Sequence, residues 1–267
     1  MPEMQISMTS LHFLSPDCKS QSFDHKANGY ARGEGAAVVI LKPLAHAIRD
    51  NNVIRAVIRG TAINQDGKTP GTIFLISLVL ASTPNVYPGI TLPSAKAQQD
   101  LIELTYKNAG LDYNATGYFE AHGTGERPFH YDAGMFLELT TSKGTPAGDP
   151  LECSAIGATL GVSRTEDNPL IVGSVKTNVG HMEGASGLAG LIKAVYALEK
   201  GQIPPNLWFE KANPRIPMSK WGIKVHYQCS LTICDVDVTI LDPYSTNTMA
   251  YNWSSPRQRQ LIRLWWD

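Results

Sequence analysis

The sequence predicts an α/β fold built in layers, and three observations support this prediction. Short apolar, β-branched runs at residues 35–41 and 54–58 are typical of buried strands. Residues 94–110 have the apolar spacing and the end signals of a helix. Further along, residues 117–121 and 169–175 are strand-like runs that each lead into a glycine-rich loop. Strands that alternate with helices along the chain indicate a layered α/β domain.

The helix predicted over residues 94–110 has a clear start and end. Ser94 can cap its first turn, and Gly110 suits the left-handed residue that follows a last turn. Its apolar face consists of Leu101, Ile102 and Leu104.

Two further helices are predicted from their end signals. One begins at residues 148–152, where Asp149 is the cap, Pro150 takes the first helical position and Glu152 reaches back. The other follows the loop at residues 176–186 and ends at Gly201. Its apolar stripe comprises Leu188, Leu191, Ile192, Val195 and Leu198.

Two histidines occupy loops that directly follow strands. His122 comes after the strand at residues 117–121, and His181 lies in the loop after the strand at residues 169–175. Ligands of open α/β sheets bind beyond the carboxyl ends of the strands, so we expect both histidines to face one cavity. Together with Lys176, two imidazoles can donate hydrogen bonds to a developing oxyanion. Each histidine alone is more often a turn residue, and the pairing is what favours catalysis.

Composition excludes several classes of protein. The chain has 23 Lys and Arg against 24 Asp and Glu, so it has no positive excess to attract nucleic acid or an acidic membrane surface. Four cysteines are too few for a disulfide scaffold. The longest apolar run, residues 72–81, is too short to span a membrane, and no secretory signal opens the chain. We therefore expect a cytoplasmic location.

Two other kinds of site are disfavoured. A metal site at His226, Cys229 and Cys234 lacks a second ligand pair at zinc-like spacing, so no metal is expected. The regularly spaced glycines between residues 184 and 190 match neither G-x-G-x-x-G nor a phosphate-binding loop with its lysine.

Four segments give the sequence a specific resemblance to a known family. They are SFDHKANGYARGEGAAVVILKPL (22–44), EAHGTG (120–125), TPAGDPLE (145–152) and VGSVKTNVGHMEGASGLAGLIKAV (172–195). In this order they resemble the β-ketoacyl synthase, or ketosynthase, domain of type I polyketide synthases. The resemblance covers residues 2–71, 90–125 and 145–225. It implies a thiolase-like layered α-β-α-β-α fold, incomplete, with the end of the first half and most of the second.

The activity that the resemblance implies is an acyl transfer with carbon–carbon bond formation. It is the decarboxylative Claisen condensation of carrier-bound acyl and malonyl-type units in polyketide or fatty acid biosynthesis. His122 and His181 would stabilise the thioester oxyanion during decarboxylation. Lys176 would orient and polarise the histidine site, with Glu183 as its charge partner.

The resemblance also implies how substrates arrive. No cofactor is bound directly, because substrates are carried on the phosphopantetheine of an acyl carrier protein domain. Thr124 and Thr145 would contact the pantetheine arm. The implied partners are that carrier, the acyltransferase and other synthase domains of a parent protein, and a second copy of the chain in a homodimer.

The sequence departs from the family at the nucleophile. The family's nucleophilic cysteine lies in a segment upstream of the residues that this chain matches. None of Cys18, Cys153, Cys229 and Cys234 stands in the small-residue context that activates that thiol. We therefore expect the chain to be inactive alone. The alternative is a non-catalytic fragment that associates with a complete ketosynthase subunit, and a hydrolase using a resident cysteine is a weaker third interpretation.

Two segments interrupt family motifs, and the end of the chain leaves the family pattern. Deleting residues 72–89 joins DGKTPG to ITLPS, and deleting residues 126–144 joins HGTG to TPAGDP. Such clean joins favour retained introns over surface loops, although chains tolerate long loops well. Residues 226–267 form an unmatched tail, in which residues 231–241 could form a strand.

Overall fold

The structure is a computed structural model that describes most of the chain. The described residues are 2–10, 13–65, 93–125, 148–227, 231–232, 237–242 and 247–251. Residues 72–89 and 126–144, the two predicted inserts, lie outside them, as do Thr145, Cys229 and Cys234.

Helices and strands alternate along most of the described chain. The helices are α1 (Pro2–Ser10), α2 (Leu44–Arg49), α3 (Ala95–Ala109), α4 (Gly148–Thr159), α5 (Lys176–Val179) and α6 (Ser186–Lys200). The strands are β1 (Ile58–Ala62), β2 (Thr116–Glu120), β3 (Leu170–Gly173), β4 (Gln202–Ile203), β5 (Ile223–Val225), β6 (Leu231–Thr232), β7 (Asp237–Asp242) and β8 (Asn247–Tyr251). Single 3₁₀ turns span Tyr113–Ala115 and Glu183–Ala185.

Six of the described strands form one mixed sheet in the order β1-β8-β7-β2-β3-β5. Strands β7, β2, β3 and β5 run parallel, whereas β8 is antiparallel to both β7 and β1. In the central register Glu120 lies beside Gly173, so β2 and β3 end at the same edge of the sheet. Strands β4 and β6 form a separate antiparallel pair.

Helices cover the sheet on both faces because successive strand residues point to opposite sides. Phe119 and Val172 pack with residues of α3 and α4 in one core, whereas Tyr118 and Ile171 pack against α6 in a second. The result is a layered α/β arrangement with β2 and β3 at its buried centre.

Helix α3 confirms the end signals of the sequence but not its whole apolar face. The Ser94 hydroxyl accepts a hydrogen bond from the Ala97 amide at 3.1 Å, and Gly110 is left-handed with φ 62°. Leu104 is 43% exposed, so its predicted place in the core is wrong. The buried residues follow the i, i+3, i+4, i+7, i+8 spacing of one helix face, and Leu104 lies off that row. They are Gln98, Leu101, Ile102, Thr105 and Tyr106.

The strand predicted at residues 35–41 is absent, and the strand predicted at residues 54–58 begins later, at Ile58 in β1. Val38 and Ile40 are 87% and 95% exposed. A strand exists only where a neighbour accepts its hydrogen bonds, and no described strand pairs with residues 35–41. These residues have the composition of a buried strand, but in this chain most of them are exposed and no described strand pairs with them.

Two strands of the tail after residue 225, β7 and β8, belong to the six-stranded sheet. Instead of one strand over residues 231–241, the tail supplies β6 and β7 and then β8. Strand β7 pairs directly with β2, the strand that precedes His122. None of the helices in the described part of the chain has the length and apolar character that a membrane span requires.

Candidate active site

His122 and His181 meet beyond the carboxyl ends of β2 and β3. Their ring centroids are 5.2 Å apart and the rings are nearly perpendicular, at 80°. Both side chains are buried. His122 is two residues beyond the end of β2, and the α5 turn that precedes His181 follows β3. The parallel register of these strands is therefore what brings the two loops together.

Two buried carboxylates hold the turn that contains His122. Glu152 accepts from the amides of His122 and Gly123, at 2.7 and 2.9 Å. Asp149 accepts from the amides of Gly125 and Phe23, at 3.1 and 2.7 Å. Asp149 in the first turn of α4 and Glu152 just after it therefore anchor a neighbouring turn, rather than capping that helix as the sequence suggested.

The turn also requires glycine at residue 123. Gly123 has φ 49°, and a Cβ there would lie 2.7 Å from the Cβ of Ser174. Because Gly123 lets Ser174 approach the turn, the Ser174 hydroxyl can donate a hydrogen bond to the carbonyl oxygen of His122 at 3.0 Å. The end of β3 thus fixes the main chain of the histidine that follows β2.

Lys176 sets the tautomer of His122. Its Nζ lies 3.2 Å from Nδ1 of the imidazole, and its side chain is buried. An ammonium group can only donate a hydrogen bond, so Nδ1 of a neutral His122 accepts. The imidazole proton is then on Nε2.

His181 reaches the same tautomer by another route. The amide of Glu183 donates to its Nδ1 at 3.0 Å, and the Ser186 hydroxyl lies 3.0 Å from the same atom. A main-chain amide has no lone pair to offer, so Nδ1 again accepts and Nε2 carries the proton. The main chain of His181 bonds to Ala31 and Gly33, and its ring lies 5.1 Å from that of Tyr30.

The site is therefore a pair of N–H donors from two loops. Two preorganised donors in a buried setting stabilise negative charge that develops on an oxygen between them. Neither Nδ1 is left to act as a base while these contacts persist.

Burial shapes the acid–base properties around this pair. It raises the pKa of Glu152 to about 8, with the Asp149 charge acting in the same direction and the main-chain amides and Lys176 opposing it. Burial also raises the pKa of Asp149, against the amides of Phe23, Gly125 and Thr124 and the charge of Lys176. The two acids are thus the carboxylates that act on Lys176 from α4.

Glu183 has an observed partner, and its predicted pairing with Lys176 stays a prediction. Its carboxylate forms an ion pair with Arg32, whose main chain lies beside His181. The turn at Glu183, where φ is 50°, instead presents its amide to the His181 ring. Thr124 is buried in the His122 turn, and its proposed contact with a pantetheine arm stays a prediction, as does that of Thr145.

Several residues of the site were missed by sequence reasoning. Asn206 accepts from the Ser174 amide at 3.0 Å and donates to the Ser22 carbonyl at 3.3 Å, which joins two loops of the site. Ser174 and Ser186 contact the two histidine loops directly. A lone Ser or Asn carries no sequence signal for such a contact, and the partners of Ser174 and Asn206 also lie far along the chain.

Two family models match separate parts of this chain. The family described as "Beta-ketoacyl synthase, N-terminal domain" matches residues 1–47, and "Beta-ketoacyl synthase, C-terminal domain" matches residues 140–210. The second match includes Lys176 and His181. The chain belongs to the β-ketoacyl synthase family.

Relatives place this ketosynthase among the polyketide synthases. Highly reducing polyketide synthase 40 of Fusarium mangiferae is 46% identical over 223 residues, which cover 84% of this chain. Highly reducing polyketide synthase alnA of Emericella nidulans is 48% identical over 222 residues, or 83% of this chain. The matched part spans 8% of the length of each relative.

Solved ketosynthases share the fold. The ketosynthase from module 6 of the bacillaene synthase of Bacillus subtilis 168 superposes with a TM-score of 0.75 at 29% identity. The oxazolomycin ketosynthase domain OzmH KS7 of Streptomyces albus JA3453 gives 0.75 at 26% identity. Each comparison covers 96% of this chain and 40% of the solved one. The fold is therefore the thiolase-like ketosynthase fold, of which this chain spans less than half.

Proposed function

We propose that this chain carries the decarboxylation half of a β-ketoacyl synthase active site. The observation that supports the proposal is the pair of buried imidazoles whose Nδ1 atoms are both occupied by donors. Each Nε2 then carries a proton that can be donated to one oxyanion. The relatives that support the reaction class are polyketide synthases.

The proposed step is the loss of carbon dioxide from a malonyl-type thioester. The bond between the α-carbon and the carboxylate breaks, CO₂ leaves, and the electron pair enters an enolate whose charge lies on the thioester oxygen. His122 and His181 each donate to that oxygen through Nε2–H. The enolate carbon then attacks the carbonyl of a second acyl thioester, a carbon–carbon bond forms, and the thiolate that held the acyl group leaves.

The thiol that holds the acyl group is not among the described cysteines. Cys153 is buried in α4, and burial raises the pKa of its thiol well above the usual value. Cys18 is exposed in a turn with φ 52°. Neither lies at the start of a described helix, where the family's nucleophile is expected. We propose that the chain alone does not complete the condensation.

The partners of the proposed reaction follow from its substrates. Both acyl units would be presented on the phosphopantetheine of an acyl carrier protein domain, with Thr124 and Thr145 along the arm. The acyltransferase and other synthase domains of a parent protein, and a second copy in a homodimer, complete the proposal. The reaction would take place in the cytoplasm.

The test is decarboxylation of malonyl carrier protein by a complete ketosynthase domain containing these residues. We expect His122→Ala and His181→Ala each to slow CO₂ release by about 10²–10³-fold, because one preorganised oxyanion donor is lost. Loading of the acyl group onto the nucleophile is expected to change less. His46→Ala, at an exposed histidine on α2, is the control and should retain the parent rate. Parent-like CO₂ release by either site variant would remove that histidine from the proposed mechanism.

A further inference from the structure

A buried carboxylate stands directly behind the two histidines. Glu120 is the last residue of β2, and its side chain is 1% exposed. It forms an ion pair with Lys193 of α6 at 2.8 Å, and the Lys193 side chain is 10% exposed. The Tyr118 hydroxyl donates to the same carboxylate oxygen, and burial together with the Glu120 charge raises the pKa of that phenol well above its usual value.

The other oxygen of Glu120 has a different partner. It accepts from the amide of Val175 at 2.5 Å. Val175 immediately precedes Lys176, and Glu120 lies two residues before His122. One carboxylate therefore bonds the segment that carries the lysine to the strand that carries the histidine, and these two side chains meet at 3.2 Å.

An ion pair this deeply buried is poorly explained as a source of stability. Removing two charges from water costs several kcal/mol per ion, and well-packed apolar residues of similar volume often do as well or better. What an apolar pair cannot supply is an acceptor for the Val175 amide. The geometry therefore separates two roles, packing between β2 and α6 and anchoring of the Val175–Lys176 main chain.

We propose that Glu120 is a positioning residue that holds Lys176 against Nδ1 of His122, and that Lys193 and Tyr118 fix the orientation of its carboxylate. Through Lys176 it keeps the His122 proton on Nε2, the atom that the proposed decarboxylation uses. The inference rests on the proposed function only for that use. The tautomer itself is measurable without turnover.

The experiment is nitrogen NMR of the histidine rings in the 267-residue chain, which distinguishes an accepting Nδ1 from a protonated one. The variant E120L/K193M removes both charges and the acceptor while keeping similar volume. We expect it to be less stable than the parent, because the Tyr118 hydroxyl and the Val175 amide lose their acceptor, and to lose the uniform Nε2–H form of His122 in the folded state. The variant E120Q/K193M keeps an oxygen for the Val175 amide and is expected to retain that form.

Two internal comparisons separate positioning from general damage. The Nδ1 contacts of His181 are with Glu183 and with Ser186 at the start of α6, so His181 should keep its accepting Nδ1 in both variants. Glu199, also on α6, forms an ion pair with Arg55, whose side chain is 57% exposed. The control R55M/E199L removes this pair and should leave both rings unchanged.

Each outcome decides the proposal. A folded E120L/K193M with parent-like His122 signals would overturn it, and so would a folded E120Q/K193M that loses the tautomer. If E120L/K193M does not fold, Y118F/E120L/K193M carries the same test, because it also removes the hydroxyl that E120L leaves without its acceptor, and parent-like His122 signals in it would overturn the proposal. In a complete domain we expect E120L/K193M to lower kcat for decarboxylation by ~10²-fold with little change in KM, as a small misplacement of a reacting group does. The tautomer of His122 could respond to the variants as expected while a complete domain with the parent residues releases no CO₂. That result would count against the proposed function and leave this inference standing.

Discussion

The two imidazoles have the same tautomer, but different kinds of donor hold it in place. Nδ1 of His122 is held by a side-chain ammonium, whereas Nδ1 of His181 is held by a main-chain amide. A main-chain donor is present whatever the ionisation of nearby groups. The donor of His122 depends on Lys176, and therefore on the acids that surround it. Electrostatic changes in the site should act first on His122.

Glu152 should make the stability of the chain depend on pH. Burial raises its pKa from 4.5 to about 8, so the folded state binds this proton more tightly than the unfolded state. The stabilisation is complete below about pH 4.5 and is lost as the pH rises through about 8. One pKa unit corresponds to ~1.4 kcal/mol. We therefore expect the free energy of unfolding to fall between about pH 5 and pH 8 more steeply in the parent than in Glu152→Gln.

Urea unfolding at about pH 5 and pH 8, at one ionic strength, measures this difference. Glu152→Gln should be less stable than the parent at about pH 5, because an amide offers one oxygen to the two amides of His122 and Gly123, and this difference should shrink towards pH 8. Glu210→Gln changes a side chain that is 64% exposed and should follow the pH dependence of the parent. Equal slopes for the parent and Glu152→Gln would show that Glu152 does not titrate in this range.

At the residue scale, sequence reasoning finds side chains that continue a strand and misses contacts that cross between loops. The positions of His122 and His181 after β2 and β3 are readable because each loop continues a recognisable strand. The anchoring by Glu120, Ser174 and Asn206 is not readable, because each bonds to a segment more than 30 residues away. The catalytic roles of the histidines and of Lys176 stay predictions until decarboxylation is measured.

The α5 turn is the element on which the position of His181 depends. It ends at Gly180, which has φ 71° and ψ −173°, a region that side chains other than glycine essentially avoid. A Cβ at this position would also lie 2.9 Å from the carbonyl oxygen of Ala31, the atom that accepts from the His181 amide. Gly180 therefore both ends the helix and lets the chain pack closely against residues 31–33.

Gly180→Ala should destabilise the chain and displace His181. We expect a loss of about 1–3 kcal/mol in the free energy of unfolding, from backbone strain, together with a shift of the His181 ring resonances. Gly184→Ala is the matched control in the same loop, since its Cβ would meet nothing within 4 Å. The control should be neutral or slightly stabilising. If both variants lost the same free energy, the strain argument would fail.

At the scale of elements, prediction succeeds where the information is local. Helix α3 is defined by Ser94 and Gly110, whose interactions lie within a few residues of each other. Residues 35–41 have equally good strand composition, yet no strand forms, because pairing depends on a partner that no local pattern encodes. The same limit explains why the tail was expected to form one strand and instead supplies three.

At the scale of the molecule, the C-terminal strands β7 and β8 connect β1 to the rest of the sheet. Strand β7 lies between β2 and β8, and β8 is the described neighbour of β1. A chain ending at residue 227 would therefore leave the edge of β2 unpaired and β1 without a partner among the described strands. Open edges of this kind recruit other chains.

We expect the chain 1–227 to associate or precipitate at concentrations at which the full chain does not. Light scattering and size-exclusion chromatography over a concentration series measure this. The chain 1–251, which retains the described strands, is the control for shortening as such and should behave like the full chain. A monomeric, cooperatively folded 1–227 would mean that β7 and β8 are dispensable for the sheet.

The order of the strands in the sheet also determines when each strand edge can be paired during synthesis. The ribosome makes β2 more than a hundred residues before β7, the strand that pairs with one of its edges. Chains grow at roughly 5–20 residues per second, so this edge waits several seconds for its neighbour. The hydrogen bonds described above for the loops around His122 and His181 come from residues made before residue 227, so these contacts can form during that interval. The nascent chain thus passes through a state in which the catalytic loops are complete while one edge of the central strand is still open, which is the state a chaperone would be needed to shield.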